Sequence, residues 1–244
     1  MSYWKKYNEN NIDLTNEMIL FNNSNEFNFI EANFYNHIRD IFSLTLSFIF
    51  DSKRGTKKVL DYGSNPVVWA NLKNKTVVKN LHVDIYDPYE SNYVKDLNFD
   101  FSYSLINNIE LIRDSSYDIT IFGSVAQYDE EFLSTTILDK SILGKYVLFT
   151  HTPMSRRKSF STNQSQAILP IRKNSIEYKG LNFIHPYKDI RVSLEKQGYK
   201  LIFKSVLPPS LAGYAERFEA DLIYANLLFV KTESKTADLI CKKN

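Results

Sequence analysis

The chain has 244 residues, of which 43% are hydrophobic and 24% charged, so it can bury a core and is not disordered throughout. Its 30 basic and 28 acidic residues give a net charge of +2, which excludes a strong overall attraction to nucleic acid or to an anionic membrane. The single Cys241 excludes an internal disulfide and a cysteine-rich zinc site. The apolar stretch Ile41–Phe50 is too short to span a bilayer, and residues 1–11 lack the apolar core of a signal peptide. We therefore expect a cytoplasmic protein.

The N-terminal part of the chain predicts helix. Residues 1–25 are rich in Asn, Lys and Glu and predict an irregular leader. From Glu26 to Asp51, apolar residues recur at the three- and four-residue steps of one helical face, namely Phe27, Ile30, Phe34, Ile38, Ile41, Phe42 and Phe48. Such a face needs an apolar partner. We therefore expect residues 1–52 to form a helical extension that packs on the main domain and partly roofs its ligand site.

From Lys57 onward, short apolar runs alternate with longer polar segments. Four runs predict buried strands, and a fifth, weaker one is predicted near Tyr93–Leu97; the four are Lys58–Tyr62, Leu81–Tyr86, Tyr117–Phe122 and Lys145–Thr150. The intervening segments that are long enough for helices are Pro66–Asn74, Ser104–Arg113 and Asp129–Leu143. Alternating strands and helices predict an α/β fold with a mostly parallel sheet and helices on both faces.

The last third of the chain departs from this alternation. Pro186–Gln197 predicts a helix with proline at its first position, and Gly198 is a typical residue just beyond a helix end. Two strands follow, Tyr199–Leu207 and Leu222–Lys231. The connection between them is too short for a crossover helix with its turns, so we expect an antiparallel final pair.

Residues 155–184 predict an insertion in the main domain. Two short strands are expected in it, around Ala167–Ile171 and Ser175–Ile184. The main domain then covers residues 53–233, and residues 234–244 form a tail that should fray.

The turn after the first predicted strand is the first candidate binding element. It reads Asp61-Tyr62-Gly63-Ser64-Asn65-Pro66. A parallel strand followed by a turn of small residues and a helix is where α/β sheets bind nucleotide-like ligands. Gly63 permits close backbone approach, and Asn65 can cap the helix that Pro66 begins. The alternative is a plain strand-to-helix turn that binds nothing.

Acidic residues near two further strand ends are candidate ligand contacts. Asp87 follows the second strand, where a carboxylate can accept from both hydroxyls of a ribose. Asp84 is the other candidate, but it lies within the strand, where burial of a charge is costly. Asp100-Phe101 follows the weak third strand and could contact an adenine. Solvated turns are the alternative interpretation of these residues.

The motif after the fourth strand makes a resemblance definite. In order, KKVLDYGS, VDIYDP, DF, YDITIFGSVAQY and KYVLFT resemble the successive strand motifs of class I S-adenosylmethionine-dependent methyltransferases, over residues 57–231. More narrowly, GSVAQY, FTHTPM, HPY and QGYKLI are similar to a group of bacterial methyltransferases whose genes occur in surface-polysaccharide clusters. The sequence departs from the family at Asn65, where a second glycine is usual, and at Val67, where a third often falls.

The resemblance implies a Rossmann-like, seven-stranded sheet, mostly parallel with an antiparallel last strand. It also implies S-adenosylmethionine as cofactor. Asp61 would hold the loop and approach the methionine ammonium, and Asp87 would bind the ribose. The other implied cofactor contacts are Gly63 and Ser64 at the amino-acid end, Asp100 and Phe101 at the adenine, and Ser124 and Gln127 beside the methionine moiety.

Histidines and a basic triplet are the candidates on the acceptor side. Of the four histidines, His37 and His82 are expected to be structural. We expect His151, which ends the fifth strand, to act as a general base, and His185 is the second candidate. An anionic acceptor needs no base, and both histidines would then position it. Arg156-Arg157-Lys158 would suit a nucleotide-linked or phosphorylated acceptor, unless it is a solvated loop.

The leading functional hypothesis is O-methylation of a small-molecule or nucleotide-linked precursor of a capsule or other surface polysaccharide. A non-catalytic binding domain of the same fold is the runner-up, because the glycine loop is degenerate. A Rossmann-type dehydrogenase is disfavoured, because no G-x-G-x-x-G follows the first strand. No metal-site, P-loop or nucleophile-elbow motif is found, and neither nucleic acid nor membrane is expected as a partner.

Overall fold

The computed structural model describes residues 40–50, 55–63, 69, 80–88, 101–113, 115–167, 177–206 and 222–232, with the backbone alone over 162–167 and 177–181. Within these ranges the chain forms a sheet of nine strands and two α-helices. Helix α1 spans residues 40–49, and α2 spans Tyr187–Glu195. The strands are β1 Lys57–Tyr62, β2 Leu81–Tyr86, β3 Ser102–Ile106, β4 Ile119–Gly123, β5 Tyr146–Ser155, β6 Phe160–Ala167, β7 Glu177–Pro186, β8 Tyr199–Val206 and β9 Leu222–Lys231.

Seven of these strands form the predicted sheet. Strands β1 to β5 are parallel and lie in the order β3-β2-β1-β4-β5. Strand β9 then pairs antiparallel with β5 on one edge and with β8 on the other. The sheet is therefore mostly parallel with β9 reversed, and helices pack on both faces, which confirms the predicted fold class.

Helix α1 covers one face of the sheet. Ile41, Phe42 and Leu46 are buried on it and share an apolar cluster with Val59 of β1 and Val83 of β2. Burial of this face supplies the apolar partner that the helical spacing requires. The exception is Phe48, which is 76% exposed although the spacing predicts it on the buried side. The earlier part of the predicted helical segment, residues 26–39, lies outside the described residues, as do the leader and the tail.

Helix α2 covers the opposite face. Ile190 and Leu194 are fully buried in a second cluster, where they meet Phe149 of β5 and Phe229 of β9. The helix matches the predicted one, and Gly198 follows it in the left-handed conformation, with φ of 86°. Neither of the two described helices is long and apolar enough to cross a membrane.

The third strand lies further along the chain than predicted. Strand β2 pairs with Ser102–Ile106, whose last three residues overlap the predicted helix Ser104–Arg113, and this strand is followed by a 3-10 turn at Ile109–Leu111. Its two serines occupy a half-exposed edge strand that needs no continuous apolar run. The segments Tyr93–Leu97 and Pro66–Asn74 lie outside the described residues, apart from Trp69.

The predicted helix Asp129–Leu143 is also wrong, because this segment forms successive turns instead. Polar side chains there bond to the nearby main chain. The Thr135 hydroxyl donates to the Glu131 carbonyl at 2.8 Å, and Asp129 Oδ1 accepts from the Glu131 N–H at 2.9 Å. Such local bonds offer the backbone an alternative to the helical ladder.

The predicted insertion is an antiparallel hairpin, β6–β7, whose first strand begins earlier than expected. Strand β6 reads FSTNQSQA, so no apolar alternation marks it in the sequence.

Substitution of two phenylalanines of α1, one buried and one exposed, tests the packing of this helix on the sheet. We expect Phe42→Ala to lower the free energy of unfolding by about 3–5 kcal/mol, because it removes a fully buried ring and leaves a cavity. The matched control is Phe48→Ala on the same helix, which should cost no more than about 0.5 kcal/mol. Urea unfolding of the two variants measures this difference. Equal losses would mean that α1 does not pack as described.

Candidate functional site

The carboxyl ends of the parallel strands meet at one edge of the sheet. Tyr62, Tyr86 and Ile106 are register partners at the ends of β1, β2 and β3. Main-chain bonds continue past the strand ends: Gly63 N–H donates to Tyr86 O at 2.9 Å, and Asp87 N–H donates to Ile106 O at 2.9 Å. Gly63 and Asp87 are therefore neighbours at the edge where ligands of α/β sheets bind.

Position 63 favours glycine, because the turn after β1 contacts the loop after β4 there. Its φ is 75°, a left-handed conformation that favours glycine. A Cβ at this position would lie 2.7 Å from Cγ2 of Val125, in the loop after β4. The turn after β1 and the loop after β4 thus pack directly against each other. Ser64, Asn65 and Val67 lie outside the described residues.

The loop after β4 contains Ser124 and Gln127. Ser124 has a φ of 55°, and its N–H donates to Thr150 O of β5 at 3.0 Å. Gln127 is buried, and its Nε2 donates to Ser124 O at 2.7 Å and to Ser124 Oγ at 3.1 Å. Its Oε1 has no hydrogen-bond partner among the described residues. A buried acceptor of this kind is costly unless a further donor reaches it.

Asp61 lies inside the sheet edge and is fully buried. Its Oδ2 accepts a hydrogen bond from Trp69 Nε1, and the Trp69 ring lies 5.0 Å from the ring of Phe42 on α1. The role of Asp61 in holding the loop stays a prediction. Trp69 was not singled out in the sequence, where a lone tryptophan in a predicted helix gives no signal of a bond to Asp61.

The prediction that Phe101 follows the third strand is wrong, because β3 begins at Ser102. It therefore lies at the amino end of β3, and its ring packs 5.5 Å from Trp69 in the α1 cluster. Asp100 lies outside the described residues.

The residues that do follow β3 are Asn107 and Asn108, neither of which was predicted as a site residue. Asn108 Oδ1 accepts from Glu110 N–H at 3.0 Å and caps the 3-10 turn, and Asn107 is exposed beside the strand end. An Asn-Asn pair after a strand is a turn signal that could have located this edge.

Asp84, the alternative to Asp87, lies in the interior. Its carboxylate accepts from the Tyr117 hydroxyl at 2.9 Å and contacts His82 Nε2 at 2.9 Å and Lys58 Nζ at 3.4 Å. These partners stabilise the buried charge. Burial and, after it, the bond to Asp84 raise the pKa of Tyr117. The network agrees with the structural role expected of His82. Of the two carboxylates, Asp87 is the one that lies at the strand end.

His151 lies in an irregularity of β5. The register between β5 and β9 shifts between Phe149 and Thr152, and His151 has a φ of 48°. The side chain is only 3% exposed, and its ring lies 5.1 Å from the ring of Tyr224. Left-handed, non-glycine residues concentrate at functional sites, and His151 is next to Thr150, which accepts from Ser124.

The hairpin continues the sheet beyond β4. At Met154 and Ser155, β9 pairs with one edge of β5 and β7 with the other. That second edge is the one that β4 occupies as far as Thr150. Strand β7 therefore lies past the carboxyl end of β4, and it contacts the 3-10 turn Ala126–Tyr128.

His185 fastens this hairpin to the β4 loop. Its Nε2 donates to the Asp129 carbonyl at 2.9 Å, and its ring lies 6.0 Å from that of Phe132. Because Nε2 carries the proton of this bond, only Nδ1 is left to accept one. Arg156, Arg157 and Lys158 are exposed in the bend between β5 and β6. Among the described residues, no group of three or more His, Cys, Asp or Glu side chains could hold a metal ion.

Comparison with solved structures identifies the fold. Coclaurine N-methyltransferase bound to N-methylheliamine and S-adenosylhomocysteine has a TM-score of 0.52 and 11% identity, over 81% of this chain and 72% of that one. Magnesium protoporphyrin IX methyltransferase from Synechocystis PCC 6803 with bound S-adenosylhomocysteine has a TM-score of 0.49 and 15% identity, over 84% and 88%. Neither a protein-family model nor a curated protein matches the chain. The chain has the Rossmann-like fold of class I S-adenosylmethionine-dependent methyltransferases.

Two glycines test the contact between the loops. Gly63 and Gly55 both have positive φ, but a Cβ at Gly55 meets nothing within 4 Å. We expect Gly55→Ala to lower the free energy of unfolding by about 1–2 kcal/mol from backbone strain alone. Gly63→Ala should cost about 1–3 kcal/mol more, because Val125 is stiff. Urea unfolding measures both, and adding Val125→Ala should recover part of the Gly63→Ala loss; no recovery would show that Val125 is not the obstacle.

Proposed function

We propose that the chain is an S-adenosylmethionine-dependent methyltransferase that binds its cofactor at the carboxyl edge of β1, β2 and β4. The observation that carries this proposal is the convergence of Gly63, Asp87, Ser124 and Gln127 at that edge. The strand order agrees with it, because the ligand edge of this sheet type is the carboxyl edge.

The residues at the edge fit such a cofactor. Asp87 offers a half-exposed carboxylate for the ribose hydroxyls, and Gln127 Oε1 offers a buried acceptor without a partner among the described residues. Bound S-adenosylmethionine supplies a methyl group on a sulfonium, which an acceptor oxygen can attack. Asp61 holds the turn from inside through Trp69, and Ser64 is proposed from the resemblance alone. Asn107 replaces Asp100 and Phe101 as the candidate beside the adenine.

On the acceptor side, we propose His151 as the general base for a neutral hydroxyl. Its support is its position next to Thr150, whose carbonyl oxygen bonds to the β4 loop. His185 is proposed to position this wall through its bond to Asp129. The proposed acceptor is a precursor of a surface polysaccharide, and this rests on the sequence resemblance. The exposed triplet from Arg156 to Lys158 would bind a phosphate of such a precursor.

A second candidate function is a domain of the same fold that binds ligand without transferring a group. It is favoured by the 3% exposure of His151, since a base must touch its substrate, and by Asn65 in the glycine loop. A dehydrogenase is disfavoured by β9, which runs antiparallel between β5 and β8, whereas dinucleotide-binding sheets are parallel there.

Cofactor binding tests the proposal. Calorimetric titration with S-adenosylhomocysteine should show one site, and Asp87→Ala should weaken binding by about 1–3 kcal/mol, the scale of a lost hydrogen bond to a charged group. Asp189→Asn, which neutralises an exposed carboxylate on α2, is the matched control and should leave the affinity unchanged. Binding of NAD but not of S-adenosylhomocysteine by the wild type would favour a dehydrogenase. Unchanged affinity in a folded Asp87→Ala variant would refute the ribose assignment.

Kinetics test the acceptor side, with nucleotide-linked sugars as the first acceptors tried. For a neutral hydroxyl, His151→Ala should lower kcat about 10²–10⁴-fold while barely changing cofactor affinity. For an anionic oxygen, that loss should be smaller, and Arg156→Gln with Arg157→Gln should raise the acceptor KM. If the cofactor binds and neither change alters kcat or KM, residues 151–158 are not the acceptor wall.

A further inference from the structure

We propose that Asn226 is a positioning residue for His151, because its buried side chain holds the bulge of β5 that carries this histidine. The inference rests on the proposed function, since it deepens the role of the same site. Asn226 belongs to β9 and touches none of the residues proposed to bind the cofactor in any described hydrogen bond.

The bulge is defined by the register of β5 and β9. Phe149 pairs with Leu227 and Thr152 with Ala225, so two residues of β5, Thr150 and His151, lie opposite Asn226 alone. A bulge of this kind leaves main-chain groups outside the ladder. Here the N–H of His151 donates to Oδ1 of Asn226 at 2.9 Å. An asparagine side chain therefore replaces the main-chain acceptor that a regular strand would provide.

The conformation of His151 needs such a constraint. Its φ of 48° is the left-handed conformation, which costs an L-residue free energy and persists only where the surroundings determine it. The bond to Asn226 acts directly on the strained residue and therefore opposes relaxation of the bulge.

Asn226 is itself fixed at both ends of its amide. It is 1% exposed, and its Nδ2 donates to Ser205 Oγ of β8 at 3.0 Å. The two bonds determine which end of the amide points to each partner, because an N–H needs an acceptor and a hydroxyl can provide one. Strands β8, β9 and β5 are thus joined through a single side chain.

The same strand also holds the imidazole. The His151 ring lies 5.1 Å from that of Tyr224, two residues before Asn226 on β9 and therefore on the same face of the sheet. On the other side, Thr150 accepts from Ser124 N–H at 3.0 Å, which connects the bulge to the β4 loop. A shift of the bulge would therefore move His151 relative to Ser124, where the cofactor methionine is proposed to lie.

Histidine NMR provides the test, because the chain has only four histidines. Protein labelled at histidine with ¹³C and ¹⁵N is compared for the wild type, Asn226→Ala and Asn226→Asp, and His151→Gln assigns the His151 signals. In Asn226→Ala, we expect the His151 amide to exchange with solvent at least about tenfold faster, because its acceptor is gone. The shift of the His151 ring signals on titration with S-adenosylhomocysteine should also be lost, while the calorimetric Kd stays within about threefold.

Asn226→Asp should restore both signatures, since a carboxylate oxygen can accept from the His151 N–H and from the Ser205 hydroxyl. His185 is the internal control, because its ring bonds to Asp129, away from Asn226, and its signals should not change. With an acceptor in hand, Asn226→Ala should lower kcat and leave the acceptor KM unchanged.

Four outcomes would overturn the inference while S-adenosylhomocysteine still binds. The first two are an unchanged His151 response in Asn226→Ala and equal behaviour of the alanine and aspartate variants. The third is loss of exchange protection at His185 as well, which would make Asn226 a general support of the sheet. The fourth is a wild-type His151 ring whose signals do not shift when S-adenosylhomocysteine binds. Absence of S-adenosylhomocysteine binding by the wild type would instead refute the proposed function, and the assigned role of Asn226 with it.

Discussion

The pairing of β5 along both of its edges is the constraint on which the arrangement of the site depends. One edge takes β9 from Tyr146 to Ser155, and the other takes β4 as far as Thr150 and then β7. Strand β5 therefore extends beyond the parallel strands and carries the hairpin past their carboxyl ends. Because three strands meet beside it, a single irregularity in β5 sets the relative placement of the β4 loop, the hairpin and β9.

Core packing on one face of the sheet connects the N-terminal helix to this edge. The Asp61 carboxylate accepts a hydrogen bond from Trp69 Nε1, and the Trp69 ring packs against Phe42 of α1. A buried carboxylate is tolerated only where donors satisfy it, so the position of Asp61 depends on the packing that holds Trp69 in place. The helix is thereby coupled to the turn after β1 through two side chains, Trp69 and Phe42.

The strands could be predicted where burial imposes continuous apolar runs. Leu81–Tyr86 and Leu222–Lys231 match β2 and β9 residue for residue, because both strands are covered on two faces. The predictions are wrong where polar side chains determine the conformation of the backbone. Thr135 and Asp129 bond to the main chain within a segment whose spacing predicts a helix, and β3 and β6 carry serines, which do not signal a strand.

Within the site, the sequence predicts the residues whose positions follow from strand order. It does not predict the contacts that depend on the register between two strands. Gly63, Asp87 and Ser124 follow parallel strands, so their meeting at one edge follows from strand order alone. The bond from His151 to Asn226 joins residues 75 positions apart. It forms because, at the bulge, β9 has one residue where β5 has two. No local pattern encodes that offset, since it is set by the packing of both strands. The geometry around His151 is therefore a tertiary property, and substitutions that change the register of β9 should act on the site although they lie outside it.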